Sequence, residues 1–86
     1  MAEVHLPPTL PPLFAGLPRR LELDAASAGE AIDRLDARWP GLRDRVCDGA
    51  QLRPHVRVFV DGERAGLDTP LAAASRLDVI AAISGG

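Results

Sequence analysis

Eighty-six residues, 47% hydrophobic and 26% charged with a formal net charge of −2, set the expectation of one globular domain over residues 1–86 and speak against a disordered chain. The near-neutral charge gives no electrostatic reason to expect nucleic acid, and no apolar run is long enough to span a bilayer. A single cysteine, Cys47, excludes an internal disulfide; with the lack of a secretory pattern in "MAEVHLPP", it sets the expectation of a cytoplasmic protein.

The first predicted element is a short strand from Glu3 to Leu6, with Val4 and Leu6 on one face. "PPTLPPLFAGLP" follows; its prolines fix φ and remove backbone donors, so it reads as an irregular connection. Alternation returns in Arg19–Asp24, where Leu21 and Leu23 share a face, and the two strands are expected to form a hairpin around the stiff loop. Ser27 and Glu30 then make an S-x-x-E capping box, in which hydroxyl and carboxylate each satisfy an orphan backbone N–H. Ala28, Ala31, Ile32, Leu35 and Trp39 follow the i, i+3, i+4 rhythm of one apolar helix face, opposite Asp33, Arg34, Asp36 and Arg38. Pro40 and Gly41 end this helix.

"GLRDRVCDGAQ" reads as a helical turn and loop. In "HVRVFVDGERAG" the alternation is strict: Val56, Val58 and Val60 face one way, His55, Arg57 and Phe59 the other. Asp61-Gly62 is a tight-turn dipeptide suited to positive φ at both positions, and Glu63–Ala65 starts the returning strand. "LDTPLAAAS" is a connection with room for a short helical turn. The last strand, in "RLDVIAAIS", puts Leu77, Val79 and Ala81 on one face and Asp78, Ile80 and Ala82 on the other. One helix would thus cover one face of a mixed α+β sheet and leave the opposite face open to water.

Chemistry within the chain is sparse. Cys47, His5 and His55 lack the paired spacing of metal ligands, so no metal site is expected. No phosphate-cradling glycine motif is present, and neither histidine lies near a serine with an orienting acid. No bound cofactor and no enzymatic activity are expected. All ten basic residues are arginine. Codon usage that favours arginine explains this, but it also means that a reactive acyl group on the chain would meet no lysine of its own.

The remaining chemistry is that of the α-carboxylate after "AAISGG". Residues without a Cβ keep a tail slim enough to thread into a narrow site, where an acyl-adenylate would make the carboxylate electrophilic. In its element order and its closing Gly-Gly the sequence resembles the ThiS/MoaD group of β-grasp, ubiquitin-like sulfur carriers. The resemblance covers nearly the whole chain and is best at the helix with "WPGLRDRV", at "LRPHVRVFVDGER", at "LDTPL" and at "ISGG". It implies a β-grasp fold, and a ubiquitin-activating-like enzyme that adenylates the carboxylate of Gly86 with ATP. A sulfur donor then forms a thiocarboxylate, and a sulfur-acceptor enzyme consumes it. Gly86 would bear the sulfur and Gly85 would be the slim approach residue. The pathway stays open between molybdopterin, thiamin and cysteine types.

In the β-grasp order that the resemblance implies, the strands carrying Phe59 and Ile80 are neighbours. An exposed Phe beside an exposed Ile on a sheet leading into the tail is a candidate docking patch for the activating enzyme, and Ile83 and Ser84 are expected to join it as partner-binding residues. Two other readings share the fold: a ubiquitin-like modifier conjugated through Gly86, and a β-grasp binding module with an inert terminus.

Overall fold

The computed structural model describes residues 1–81. Seven strands and two helices occur among them: β1 (Ala2–His5), β2 (Arg20–Leu23), α1 (Ala28–Arg38), α2 (Leu42–Val46), β3 (Cys47–Asp48), β4 (Gln51–Leu52), β5 (Val56–Val60), β6 (Glu63–Ala65) and β7 (Arg76–Ala81). Five of the strands form one mixed sheet in the order β2-β1-β7-β5-β6. β1 and β7 run parallel at its centre, and the other neighbours are antiparallel. β3 and β4 make a separate two-stranded ribbon.

Each long strand separates its residues as the alternation requires. Val4, Val56, Val58, Leu77 and Val79 are buried against Ala28, Ala31, Ile32 and Leu35 of α1 and Leu42 of α2. Burial of one such side chain contributes about 1.5–3 kcal/mol, which is why a one-residue slip of register is excluded. The proline-rich loop between β1 and β2 joins this core: Leu6, Leu10 and Leu17 are buried, and Pro11–Leu13 form a single 3-10 turn. Trp39 caps the end of α1 in a half-buried position. Its indole Nε1 donates to the carbonyl of Ala15 (3.1 Å), and Arg38 stacks 4.5 Å from its ring centroid, so it ties the loop to the helix end.

The start of α1 departs from a simple capping box. Ser27 Oγ accepts from the Glu30 N–H (3.1 Å) as expected, but the Glu30 carboxylate accepts from the N–H of Ala26 (3.3 Å), one residue before the cap. The next two N–H groups are satisfied from across the molecule. Ala28 donates to Thr69 O (3.0 Å) and Gly29 to Leu67 O (2.8 Å). "LDTPLAAAS" therefore contains no helical turn; its carbonyls are aimed at the positive end of α1, where orphan donors need acceptors.

The β3–β4 ribbon was not expected. Two-residue strands are too short to show alternation, although Asp48-Gly49 resembles the Asp61-Gly62 signal and Gly49 has φ +62°. At the second turn Asp61 (φ +51°) and Gly62 (φ +86°) are both left-handed, as a two-residue hairpin of the favoured twist demands.

Candidate functional site: the open sheet face and the end of β7

The face of the sheet away from α1 is built from residues that the strands turn outward. Register aligns them in rows. Arg20 pairs with His5, His5 with Asp78, Asp78 with Phe59 and Phe59 with Arg64, so one row crosses all five strands. Nearer the end of β7, Arg57 stands opposite Ile80. On the other side Glu22 pairs with Glu3, and Glu3 with Arg76.

Phe59 and Ile80 lie on this face as the alternation requires, on adjacent strands. They are not directly opposite: Phe59 faces Asp78 and Ile80 faces Arg57, which makes the two apolar residues diagonal neighbours. Ile80 is 46% exposed and Phe59 is half-buried. At diagonal separations of about 7–8 Å between backbones, an aromatic ring and an isoleucine are within reach of one partner side chain. Ile83, Ser84, Gly85 and Gly86 lie outside the described residues.

Charge on this face is polarised. Arg57 stands opposite Ile80 and Arg64 opposite Phe59, whereas Glu3 and Glu22 occupy the end distant from Ala81 together with Arg76. Arg76 is held by two hydrogen bonds from Nε to the Asp78 carboxylate (3.1 and 3.0 Å) and one from its terminal nitrogen (3.0 Å), and this raises its pKa. His5 Nε2 donates to the Glu3 carboxylate, and this bond chiefly holds Glu3 below the ordinary carboxylate value. The opposite ring nitrogen of His5 lies 4.0 Å from Asp78. The two carboxylates beside His5 come from its own strand two residues away and from a strand more than seventy residues later, and only the tertiary structure brings the second one to it.

A groove of about 520 Å³ opens beside Ala81, where β7 ends. Leu10, Leu13, Val46, Val56 and Val79 supply its apolar wall, and Arg45, Arg53 and His55 its polar rim. No single stretch of sequence announces it, because the wall combines the proline-rich loop, α2 and two sheet strands. Cys47 is buried beside α2, and burial raises its thiol pKa. Among the described residues no group of three His, Cys, Asp or Glu is placed to hold a metal ion, and no helix is long and apolar enough to cross a membrane.

A five-stranded mixed sheet with a parallel central pair and one long helix across a single face defines a ubiquitin-like β-grasp protein. The chain belongs to the ThiS family, whose model matches residues 13–86. Small archaeal modifier protein 1 of Haloferax volcanii is 36% identical over 69 residues, covering 78% of this chain and 79% of that protein. A crystal structure of the same Haloferax protein superposes with a TM-score of 0.75 at 35% identity, over 99% of this chain and 98% of the other. A chain in the crystal structure of the Amycolatopsis orientalis BexX/CysO complex superposes with a TM-score of 0.86 over the full length of both, and at 24% identity that likeness concerns the fold.

Proposed function

We propose that this protein is a sulfur carrier, a cosubstrate and not an enzyme, whose chemistry is performed on the carboxylate of Gly86 by a partner. In the activating step a carboxylate oxygen attacks the α-phosphorus of ATP and pyrophosphate leaves. Sulfide, delivered by a donor protein, then attacks the acyl carbon, AMP leaves with the carboxyl–phosphate oxygen, and a thiocarboxylate results. The protein's own contribution is to present the tail. The sheet is rigid, β7 aims at the partner's site, and Gly85 and Gly86 have no Cβ to obstruct it. Phe59 and Ile80 form the apolar centre of the docking face, with Ile83 and Ser84 continuing toward the glycines. Arg57 and Arg64 beside that centre suit an activating enzyme with carboxylates at the rim of an apolar pocket.

The observation that carries this reading is the span of the family match, which runs through Gly85 and Gly86. Deleting Gly86, or adding one residue after it, should leave the unfolding midpoint nearly unchanged and abolish ATP–pyrophosphate exchange by the activating enzyme. Normal exchange by the tail-extended variant would sink the proposal.

One observation favours a second reading. The relative that is 36% identical is named a modifier, and a ubiquitin-like modifier uses the same activation but delivers Gly86 to an amine of another protein. Intact mass of the protein from its native cell separates the two. Replacement of one oxygen by sulfur marks the carrier, and adducts on other proteins mark the modifier.

A further inference from the structure

β2 is an end strand of the sheet, and no described strand pairs with its outer side. The direction of its free backbone groups follows from one bond. The Leu6 N–H donates to Arg19 O at 2.7 Å, which makes Leu6 and Arg19 a hydrogen-bonded pair in the β1–β2 register. Antiparallel ladders alternate bonded and non-bonded pairs. Leu21 and Leu23 therefore bond to β1, and the N–H and C=O groups of Arg20 and Glu22 point outward at the free edge.

Exposed edges are ordinarily blunted by lysine, proline or a bulge. β2 has none of these; it reads Arg20-Leu21-Glu22-Leu23 in unbroken register with β1. Arg20 and Glu22 are both exposed on the open face, and neither makes an ion pair among the described residues. Glu22 stands opposite Glu3 and Arg20 opposite His5. The first of these sets like charges together, which is unfavourable. Each charge thus lacks a complement on its own chain.

A second copy of the chain supplies both complements. With two β2 strands antiparallel and Leu21 on the twofold axis, Arg20 faces Glu22 of the other copy and Glu22 faces its Arg20. These are the residues whose backbone groups point outward, so each pair exchanges both of its N–H···O bonds. Leu21 meets Leu21 at a non-bonded position, where backbones approach to about 4.5 Å and side chains are closest. The register is selective. A slip of one residue sets open-face residues against core-face ones. A slip of two sets Glu22 against Glu22 or Arg20 against Arg20. The other edge strand, β6, has no such pattern, because Glu63 and Arg64 are adjacent and take opposite faces.

We infer that β2 is a self-association edge: two copies of the chain join antiparallel through Arg20–Leu23 about a twofold axis at Leu21, and their sheets become continuous. Paired strands of four residues each make a contact below the standard interface size, so the dimer is weak and reversible. Addition at an edge extends a sheet without covering its face. Ile80 on β7 and Phe59 on β5 lie beyond β1 in each copy, so the dimer leaves both free for another partner.

Sedimentation equilibrium and NMR amide exchange on the full 86-residue chain test this. Wild type should show a monomer–dimer equilibrium at the concentrations NMR uses. As concentration rises, the Arg20 and Glu22 amides should exchange more slowly, while those of Leu21 and Leu23, already bonded to β1, change little. Arg20→Glu and Glu22→Arg should each weaken dimerisation roughly tenfold or more, since each sets like charges opposite one another at both symmetric positions. The double variant carrying both substitutions should restore it, and circular dichroism confirms that each variant is folded. A wild-type chain that stays monomeric at NMR concentrations would overturn the inference. So would single variants that dimerise like wild type, a folded double variant that stays monomeric, or concentration-dependent protection that maps to Phe59 and Ile80 and not to β2.

Discussion

Ser27→Ala removes one acceptor from the start of α1, and the surroundings of that acceptor set the cost. Three N–H groups of the first turn lack partners inside the helix. Ala28 and Gly29 donate to the carbonyls of Thr69 and Leu67, and these bonds are untouched by the substitution. Only the Glu30 N–H loses its partner, Ser27 Oγ at 3.1 Å. Ser27 and Glu30 are both half-buried, so water can replace part of the lost bond. The cost should therefore fall near the middle of the measured range for caps, at about 1 kcal/mol. For a domain of this size that lowers the thermal midpoint by roughly 4–8 °C. Urea unfolding followed by circular dichroism measures it, with an unchanged m-value as the sign that the compactness of both states is preserved. Ser27→Asp, which keeps an acceptor and adds charge at the positive helix end, should stay close to wild type. An unchanged midpoint for Ser27→Ala would refute the reasoning and show that the 67–71 segment alone holds the helix start.

Phe59→Arg should leave the fold intact, because Phe59 faces away from the core, and should weaken binding to the activating enzyme by on the order of 2 kcal/mol; calorimetry reads the binding, and unfolding of the variant would mean that the side chain is structural. Asp61 serves two ends at once: it adopts φ +51°, and its carboxylate accepts from the Arg76 N–H at 2.9 Å. Asp61→Ala should cost about 2 kcal/mol through strain and an orphaned donor, whereas Asp61→Asn, which tolerates the backbone angle and keeps an acceptor, should be nearly neutral in urea unfolding. Glu3 has a depressed pKa in the folded protein, so its contribution is present above the ordinary carboxylate range and is lost as pH falls through the folded value. The stability difference between wild type and Glu3→Gln should accordingly be present at neutral pH and vanish in acid; a difference that persists in acid would assign it to something other than the carboxylate.

Local signals in the sequence were sufficient wherever the deciding interaction lies within a few residues. The alternation of Val56, Val58 and Val60 against Arg57 and Phe59 is a property of the pleat, and it placed Phe59 on the open face before any partner strand was known. Ser27 and the Glu30 N–H are three residues apart, and Asp61-Gly62 turns on its own backbone angles, so both were legible as well. What the tertiary structure alone decided involves residues distant along the chain. The carbonyls of Leu67 and Thr69 satisfy the start of α1, which no periodicity near residue 28 could reveal. The row Arg20, His5, Asp78, Phe59 and Arg64 exists because four strand registers bring five separate segments level, and the same registers set Phe59 opposite Asp78 and make Ile80 its diagonal neighbour. Period-two alternation specifies which face a residue takes; its height along the neighbouring strand follows from how the whole core packs, since only one register lets Val4, Val58, Leu77 and Ile32 close on one another without leaving the sheet's apolar side in water.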